Sequence, residues 1–351
     1  MRIGIPTETK PKEGRVALIP AACDELVQAG HSVFVQAGAG KQSGFSDEAY
    51  RKLGITIVEN AEALYGSADL IVKVKEPVEG DLKYLDKNHL LFCYLHLAPN
   101  PALTRKLCDI GLTAIAFETV DENGRLPLLA PMSEIAGRIA VQVGAHLLHA
   151  SVGGKGILLG GVAGTDRGHV VVLGAGVSGM RAAETAAALG AQVTIYDKYA
   201  EPLHRVCQLS PLITGKYAYA DAIAEDVKNA DLVVGAVLVP GARAPKLVSE
   251  AMVKSMQPGS VIVDIAIDQG GCVETMHATN YVDPTYVLHD VIHMGVTNMP
   301  GAVPRTSSQA LCGAILPYVQ LLANGKWEQH AALAKGINVR NGKVTHPALL
   351  S

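Results

Sequence analysis

Gly174-Ala175-Gly176-Val177-Ser178-Gly179 is the stretch whose residue types and spacing most directly imply chemistry. In a G-x-G-x-x-G turn the first glycine allows a tight reversal, the second lets backbone approach a pyrophosphate, and the third lets a helix lie close to a strand. The helix N-terminus that follows offers unpaired N–H groups and a partial positive charge to the phosphates. Asp197 stands 23 residues after Gly174, where an acid accepts from both ribose hydroxyls and repels a 2′-phosphate. The motif alone is weak, but here an apolar run at 170–173 precedes it and a helical pattern at 177–189 follows. Gly190 is the expected left-handed stop of that helix, and a second strand at 192–196 delivers Asp197. The pattern predicts a bound dinucleotide, NAD in preference to NADP.

The elements that must position any further chemistry come from the alternation of apolar runs and helical patterns. Strands are expected at 2–6, 32–36, 70–74, 90–95 and 113–117, with helices at 20–30, 46–54, 61–66 and 101–111. Such alternation implies a mostly parallel, doubly wound sheet, in which ligands sit beyond the carboxyl ends of the strands. Those ends carry Arg15, in the loop after the first strand, then Lys75, His96 and Glu118. Two cations, an imidazole and a carboxylate thus converge on one edge of a half that lacks its own glycine-rich signature.

A helix at 131–150 joins the halves, with Ile135, Ile139, Val143 and Leu147 on one face. Ser133, near its start, reads equally as a donor to a ligand or as a plain first-turn residue. His146 and His149 read as packing histidines, because no Cys, Asp or Glu stands in ligand spacing to them, and no metal site is expected. The glycine-rich loop 151–168 lacks G-K-[ST] and reads as a turn-rich connection with a short strand at 157–159. Beyond Asp197, strands are expected at 231–236, running into VLVPG, and at 260–267, which places Asp268 at a carboxyl end. Asp268 reads equally as a chemical group or as the cap of a turn before Gly270 and Gly271. A helix at 303–324 crosses back to the first domain. The fold class is α/β: two Rossmann-like doubly wound domains with a cleft between them, a substrate/catalytic domain at 1–130 plus 301–351 and a NAD-binding domain at 131–300.

Composition narrows the function classes. A chain of 351 residues, 49% hydrophobic and 18% charged, has the profile of an α/β enzyme with a sizeable core. The net charge of −3, with acids and bases interspersed, gives no nucleic-acid or membrane-surface footprint. No apolar window reaches a membrane span, and Met1-Arg2 leads straight into a strand, so no signal peptide is expected. Six scattered cysteines without a C-x-x-C pair fit reduced thiols and a cytoplasmic location.

RIGIPTETKPKEGRVALIP, DLIVKVKEP, FCYLHLAPN, PLLAPMSEIAGR, VVLGAGVSG, GAVLVPGARAPKLV and VDIAIDQGGC together resemble the L-alanine dehydrogenase family, over nearly the whole chain. The resemblance implies that Arg15 and Lys75 bind the substrate carboxylate and carbonyl, and that His96 and Asp268 form the acid/base pair. It implies NAD contacts from Ser133, Val177, Ser178, Asp197, Val237, Leu238, Ile267, Asn298 and Met299, beside Gly174, Gly176 and Gly179. The chain departs from the family at Pro202 and His277, near the adenosine, where relatives carry Lys and Arg. The implied reaction is reversible oxidative deamination of L-alanine to pyruvate and ammonium with hydride transfer to NAD, by a homohexamer. The alternative is the NAD(H)-binding module of a proton-translocating transhydrogenase, against which His96 argues, since those relatives lack a histidine there. A saccharopine-type dehydrogenase is a third, more distant reading.

Overall fold

The computed structural model describes residues 1–239 and 243–350; residues 240–242, which begin within the VLVPG stretch, and Ser351 lie outside the described residues. The chain divides into two compact units, Met1–Met132 together with the chain from Gly301 on, and Ser133–Pro300.

In the first unit the strands are β1 (Arg2–Ile5), β2 (Ser32–Gln36), β3 (Thr56–Val58), β4 (Leu70–Val72), β5 (Leu90–Cys93) and β6 (Thr113–Ala116). They lie side by side in the order β3-β2-β1-β4-β5-β6, all parallel. The order reverses between β1 and β4, which is the switch point where ligands collect in such sheets. β4 (LIV) and β5 (LLFC) are buried at every position, as a parallel sheet covered on both faces requires. Asn60 and Asn100 open the flanking helices Ala61–Ser67 and Pro101–Ile110, their side chains accepting from Ala63 and Leu103 N–H. The latter helix stops at left-handed Gly111.

The second unit repeats the plan. Its strands are β7 (His169–Leu173), β8 (Gln192–Asp197), β9 (Ile213–Tyr217), β10 (Leu232–Gly235), β11 (Val261–Asp264), β12 (Thr285–Leu288) and β13 (Val291–Met294). The order is β12-β13-β11-β10-β7-β8-β9, reversing between β7 and β10, with β12 antiparallel at the edge. After helix Pro304–Ala323 the chain adds β14 (Ile337–Arg340) and β15 (Lys343–Val344) to the first sheet, β14 running antiparallel beside β6.

The structure corrects several expectations. The apolar run at 260–267 is not one strand: β11 ends at Asp264 and a 3-10 turn, Ile265–Gln269, follows. Asp264 causes the break, its buried carboxylate accepting from the N–H groups of Ala266 (2.9 Å), Cys272 (2.8 Å) and Val273 (3.3 Å). Asp268 therefore lies on that turn, beyond the strand's end. Residues 157–159 form no strand; Leu159 instead bonds Gly168 across a tight loop, its carbonyl 2.9 Å from the Gly168 N–H. The helix expected at 131–150 runs Ala130–Leu147. His146 and His149 are exposed rather than packed in, meeting each other edge-on at 5.6 Å where the helix ends: His146 is in its last turn and His149 lies past Leu147.

Candidate active site

At the carboxyl edge of the first sheet Arg15, Lys75 and His96 each lean on a carboxylate, and for His96 it is the predicted Glu118. Arg15, 2% exposed, is gripped by Glu13, which accepts from Nε at 2.6 Å and Nη2 at 2.5 Å. Burial works against the guanidinium charge and Glu13 more than restores it. Nη1 lies 3.1 Å from the Met132 sulfur. Lys75, half-buried just past β4, is placed by Glu8, whose carboxylate accepts from the N–H groups of Val74 (2.7 Å) and Lys75 (3.2 Å). Burial raises the Glu8 carboxyl, opposed by Lys73, whose ammonium lies 3.6 Å from Glu8 and 3.3 Å from Asp81.

His96 follows β5 with a left-handed backbone, φ 48°. Its N–H donates to Glu118 at 2.6 Å, and the Leu95 N–H donates to the same carboxylate at 3.2 Å. The imidazole lies nearly parallel to the Tyr94 ring, centroids 5.9 Å apart, and the Tyr94 hydroxyl donates to the Leu128 carbonyl at 2.6 Å. Burial alone would raise the nearby Glu76 carboxyl; its ion pair with Lys10, helped by His96, holds it below its ordinary value.

Glu8, Glu13 and Lys73 escaped sequence reasoning. Lys73 had a signal: a lysine inside the apolar run LIVKVK is driven into the core, where it needs a carboxylate partner. Glu8 and Glu13 sit in the same loop as Arg15, so the strand-end rule reached their neighbourhood without separating support from chemistry.

In the second unit Gly174 has φ 100°, and its N–H donates to the Tyr196 carbonyl at 2.8 Å. Gly179 packs so closely that a Cβ there would sit 1.8 Å from the Gly174 carbonyl oxygen. Gly176, at the N-cap of helix Val177–Ala188, receives no side-chain cap, and a Cβ would meet nothing within 4 Å among the described residues. Val177 is exposed and Ser178 half-buried beside this open space. Asp197 ties the turn to the strand ends, accepting from Ala175 N–H at 2.8 Å and Tyr199 N–H at 3.0 Å. A cradle of this kind fits a pyrophosphate on backbone N–H groups with a ribose beside the acid.

The remaining predicted contacts fall into groups. Val237 and Leu238 follow β10, and Val239 N–H donates to Gln269 of the 3-10 turn at 3.3 Å. That turn carries buried Ile267 and exposed Asp268, and Asp268 accepts from the Asn298 N–H at 3.4 Å. Asn298 is left-handed, φ 58°, and the Met299 carbonyl beside it accepts from the Tyr281 hydroxyl at 2.6 Å. Ser133 is half-buried one turn before Gly137. A Cβ at Gly137 would lie 2.2 Å from the Ser178 carbonyl oxygen, so this glycine, unnoticed in the sequence, lets the helix meet the glycine turn. Arg181 and Glu134 pair across the same approach at 3.2 Å. Among the described residues no helix is long and apolar enough to cross a membrane, and no group of three His, Cys, Asp or Glu is arranged to hold a metal ion.

Comparison with known proteins places this arrangement. An alanine dehydrogenase from Mycolicibacterium smegmatis is 48% identical over 99% of this chain and 96% of its own length. One from Bacillus subtilis is 49% identical over 99% of this chain and 94% of its own. A solved L-alanine dehydrogenase superposes with a TM-score of 0.96 at 49% identity, covering 99% of this chain and 98% of its own. A transhydrogenase structure from Sinorhizobium meliloti reaches 0.85 at 26% identity, covering 99% of this chain and all of its own. The alanine dehydrogenase/PNT N-terminal domain matches residues 4–136 and the alanine dehydrogenase/PNT C-terminal domain residues 140–347, and the chain belongs to this family.

Proposed function

We infer that the protein catalyses the reversible, NAD-dependent oxidative deamination of L-alanine: alanine, NAD and water give pyruvate, ammonium, NADH and a proton. The observation that carries this reading is identity of 48–49% along 94% or more of the length of alanine dehydrogenases. The transhydrogenase reading has the more distant match, at 26% identity.

Bound NAD supplies the hydride acceptor. Arg15 grips the substrate carboxylate, with Glu13 fixing the plane of its fork, so that the substrate Cα is held in a near-attack pose. Lys75 donates to the substrate carbonyl oxygen and balances the charge that develops there. His96 moves the protons as iminopyruvate is hydrated and collapses to pyruvate and ammonia, a task suited to an imidazole near neutral pH. Asp268 is its counterpart in those transfers. Gly174, Gly176, Val177, Ser178 and Gly179 seat the pyrophosphate and Asp197 the ribose. Ser133, Val237, Leu238, Ile267, Asn298 and Met299 complete the dinucleotide contacts. We assign the protein to the cytoplasm on its six scattered cysteines and to a homohexamer on the family likeness, and light scattering of the purified protein tests the latter.

The deciding assay is the rise of NADH absorbance with NAD and alanine, glutamate, leucine or saccharopine. Turnover with alanine alone is the expected result. Silence with every amino acid beside tight NADH binding would sink the dehydrogenase reading in favour of the transhydrogenase-like module.

A further inference from the structure

We propose that Glu118 is the positioning residue for His96: its carboxylate holds the histidine backbone in the left-handed conformation that aims the imidazole. The proposal rests on the proton-transfer role given to His96 above.

Past Cys93 the chain leaves the sheet. Tyr94 still donates its N–H to the Val74 carbonyl at 3.1 Å, but the next two N–H groups, of Leu95 and His96, have left the ladder. Leu95 is fully buried, and a buried N–H must find an acceptor. Both groups find Glu118: Oε1 accepts from His96 at 2.6 Å and from Leu95 at 3.2 Å, and Oε2 lies 3.2 Å from the Leu95 nitrogen. At φ 48° a residue with a Cβ is strained, and two bonds to one carboxylate offset that strain.

Glu118 is itself anchored. It lies two residues beyond the Ala116 that pairs with Cys93 in the β5–β6 ladder, on the 3-10 turn Phe117–Thr119. The Thr119 hydroxyl donates to Asn338 Oδ1 at 2.9 Å, with the Gly336 carbonyl at 3.2 Å, so the C-terminal return of the chain pins the turn. Released from the carboxylate, His96 would relax to an ordinary negative φ, about −65 to −120°. That rotation exceeds about 100° and would lift the imidazole off the Tyr94 ring. The bonds Glu118 accepts come from the backbone of Leu95 and His96, and through them it sets where His96 points.

Two conservative variants separate position from charge. Glu118→Gln keeps an acceptor oxygen where Oε1 stands and loses the charge. Glu118→Asp keeps the charge and loses the reach of one methylene. Steady-state turnover of alanine with NAD should fall about 30- to 100-fold in kcat for Glu118→Asp and stay within about threefold of wild type for Glu118→Gln, with KM for NAD unchanged in both. Wild-type kcat in Glu118→Asp, or an equal loss in Glu118→Gln, overturns the proposal. His96→Ala in the same assay separates the two claims. If it keeps near-normal turnover, the role given to His96 fails and this inference with it; if it is inactive while Glu118→Asp is normal, only the inference fails. NADH binding by fluorescence reports the fold of each variant. Should Glu118→Asp not fold, Thr119→Val loosens the turn alone and should lower kcat about threefold at unchanged KM for NAD, an unchanged kcat overturning the proposal.

Discussion

Two glycines three residues apart should fail in opposite ways when each gains a methyl group. Gly176 has φ −70° and ψ −168°, backbone that any residue adopts, and a Cβ there meets nothing within 4 Å among the described residues. Gly176→Ala loses a little N-cap preference and gains about 0.4–1 kcal/mol by restricting the unfolded chain, so the two effects nearly cancel. Gly179→Ala would place its Cβ 1.8 Å from the Gly174 carbonyl oxygen and 3.3 Å from Val172 Cγ1. An ordinary C···O contact is about 3.3 Å or more, leaving about 1.5 Å of overlap to relieve. The atom struck is backbone, so the helix must lift off β7, at a cost of about 3 kcal/mol or more.

If the cradle holds a pyrophosphate, the methyl that the free protein tolerates at Gly176 stands between the phosphates and the helix N–H groups. NADH affinity should then weaken about 10- to 100-fold, about 1.4–2.7 kcal/mol. Urea unfolding by circular dichroism and NADH titration by fluorescence, run on both variants, read the two effects separately. Gly176→Ala should unfold with wild-type protein and bind poorly; Gly179→Ala should unfold early. A Gly176→Ala protein that binds NADH like wild type would refute the placement of the pyrophosphate. A Gly179→Ala protein as stable as wild type would refute the packing argument.

Three further outcomes follow from the same geometry. Asp197→Ala removes the acid beside the ribose and the acceptor for Ala175 N–H; kcat/KM should fall about tenfold or more for NAD and rise for NADP, and an unchanged preference would take Asp197 out of the ribose site. Arg15→Lys keeps the charge but not the fork, so KM for alanine should rise about tenfold or more with KM for NAD unchanged, whereas an unaltered alanine KM would remove Arg15 from the carboxylate. Lys73→Ala leaves Glu8 and Asp81 buried without their cation and should cost about 3–5 kcal/mol in urea unfolding. Its pH dependence has a definite sign. Burial already raises the Glu8 carboxyl and Lys73 opposes that rise, so in the variant the folded state binds a proton still more readily than the unfolded chain. The deficit should be full above the folded value and shrink as pH falls towards the ordinary carboxylate value of about 4.3; a constant deficit would contradict the buried pairing.

How far the sequence reached depends on the range of the interaction. The glycine turn, β8 and Asp197 are legible because their parts are close in sequence and each obeys a local rule: a positive φ, a close approach, an acid one strand later. Strand ends carrying Arg15, Lys75 and His96 are legible because a parallel sheet sends every carboxyl end to one edge. The 3-10 turn after Asp264 is not, since an apolar run has no period that separates it from a continuing strand, and the buried acid that breaks it acts on residues up to Val273. Glu118 is legible by the same strand-end rule, but which carboxylate stands behind which cation or imidazole is not. Glu13 supports Arg15 from two residues away, but Glu118 reaches His96 across 22 residues and Glu8 reaches Lys75 across 67. No local pattern marks those pairs, because the strand order β1-β4-β5-β6 brings them together only after folding. That division has a physical reason. A group that must meet a ligand sits at an edge that topology makes common to all strands, whereas a group that must hold its neighbour rigid is useful only where the fold has already dried its surroundings. Substitutions that disable the edge while sparing the fold and substitutions that loosen the support behind it should therefore separate cleanly, the first in kcat and KM alone and the second in stability as well.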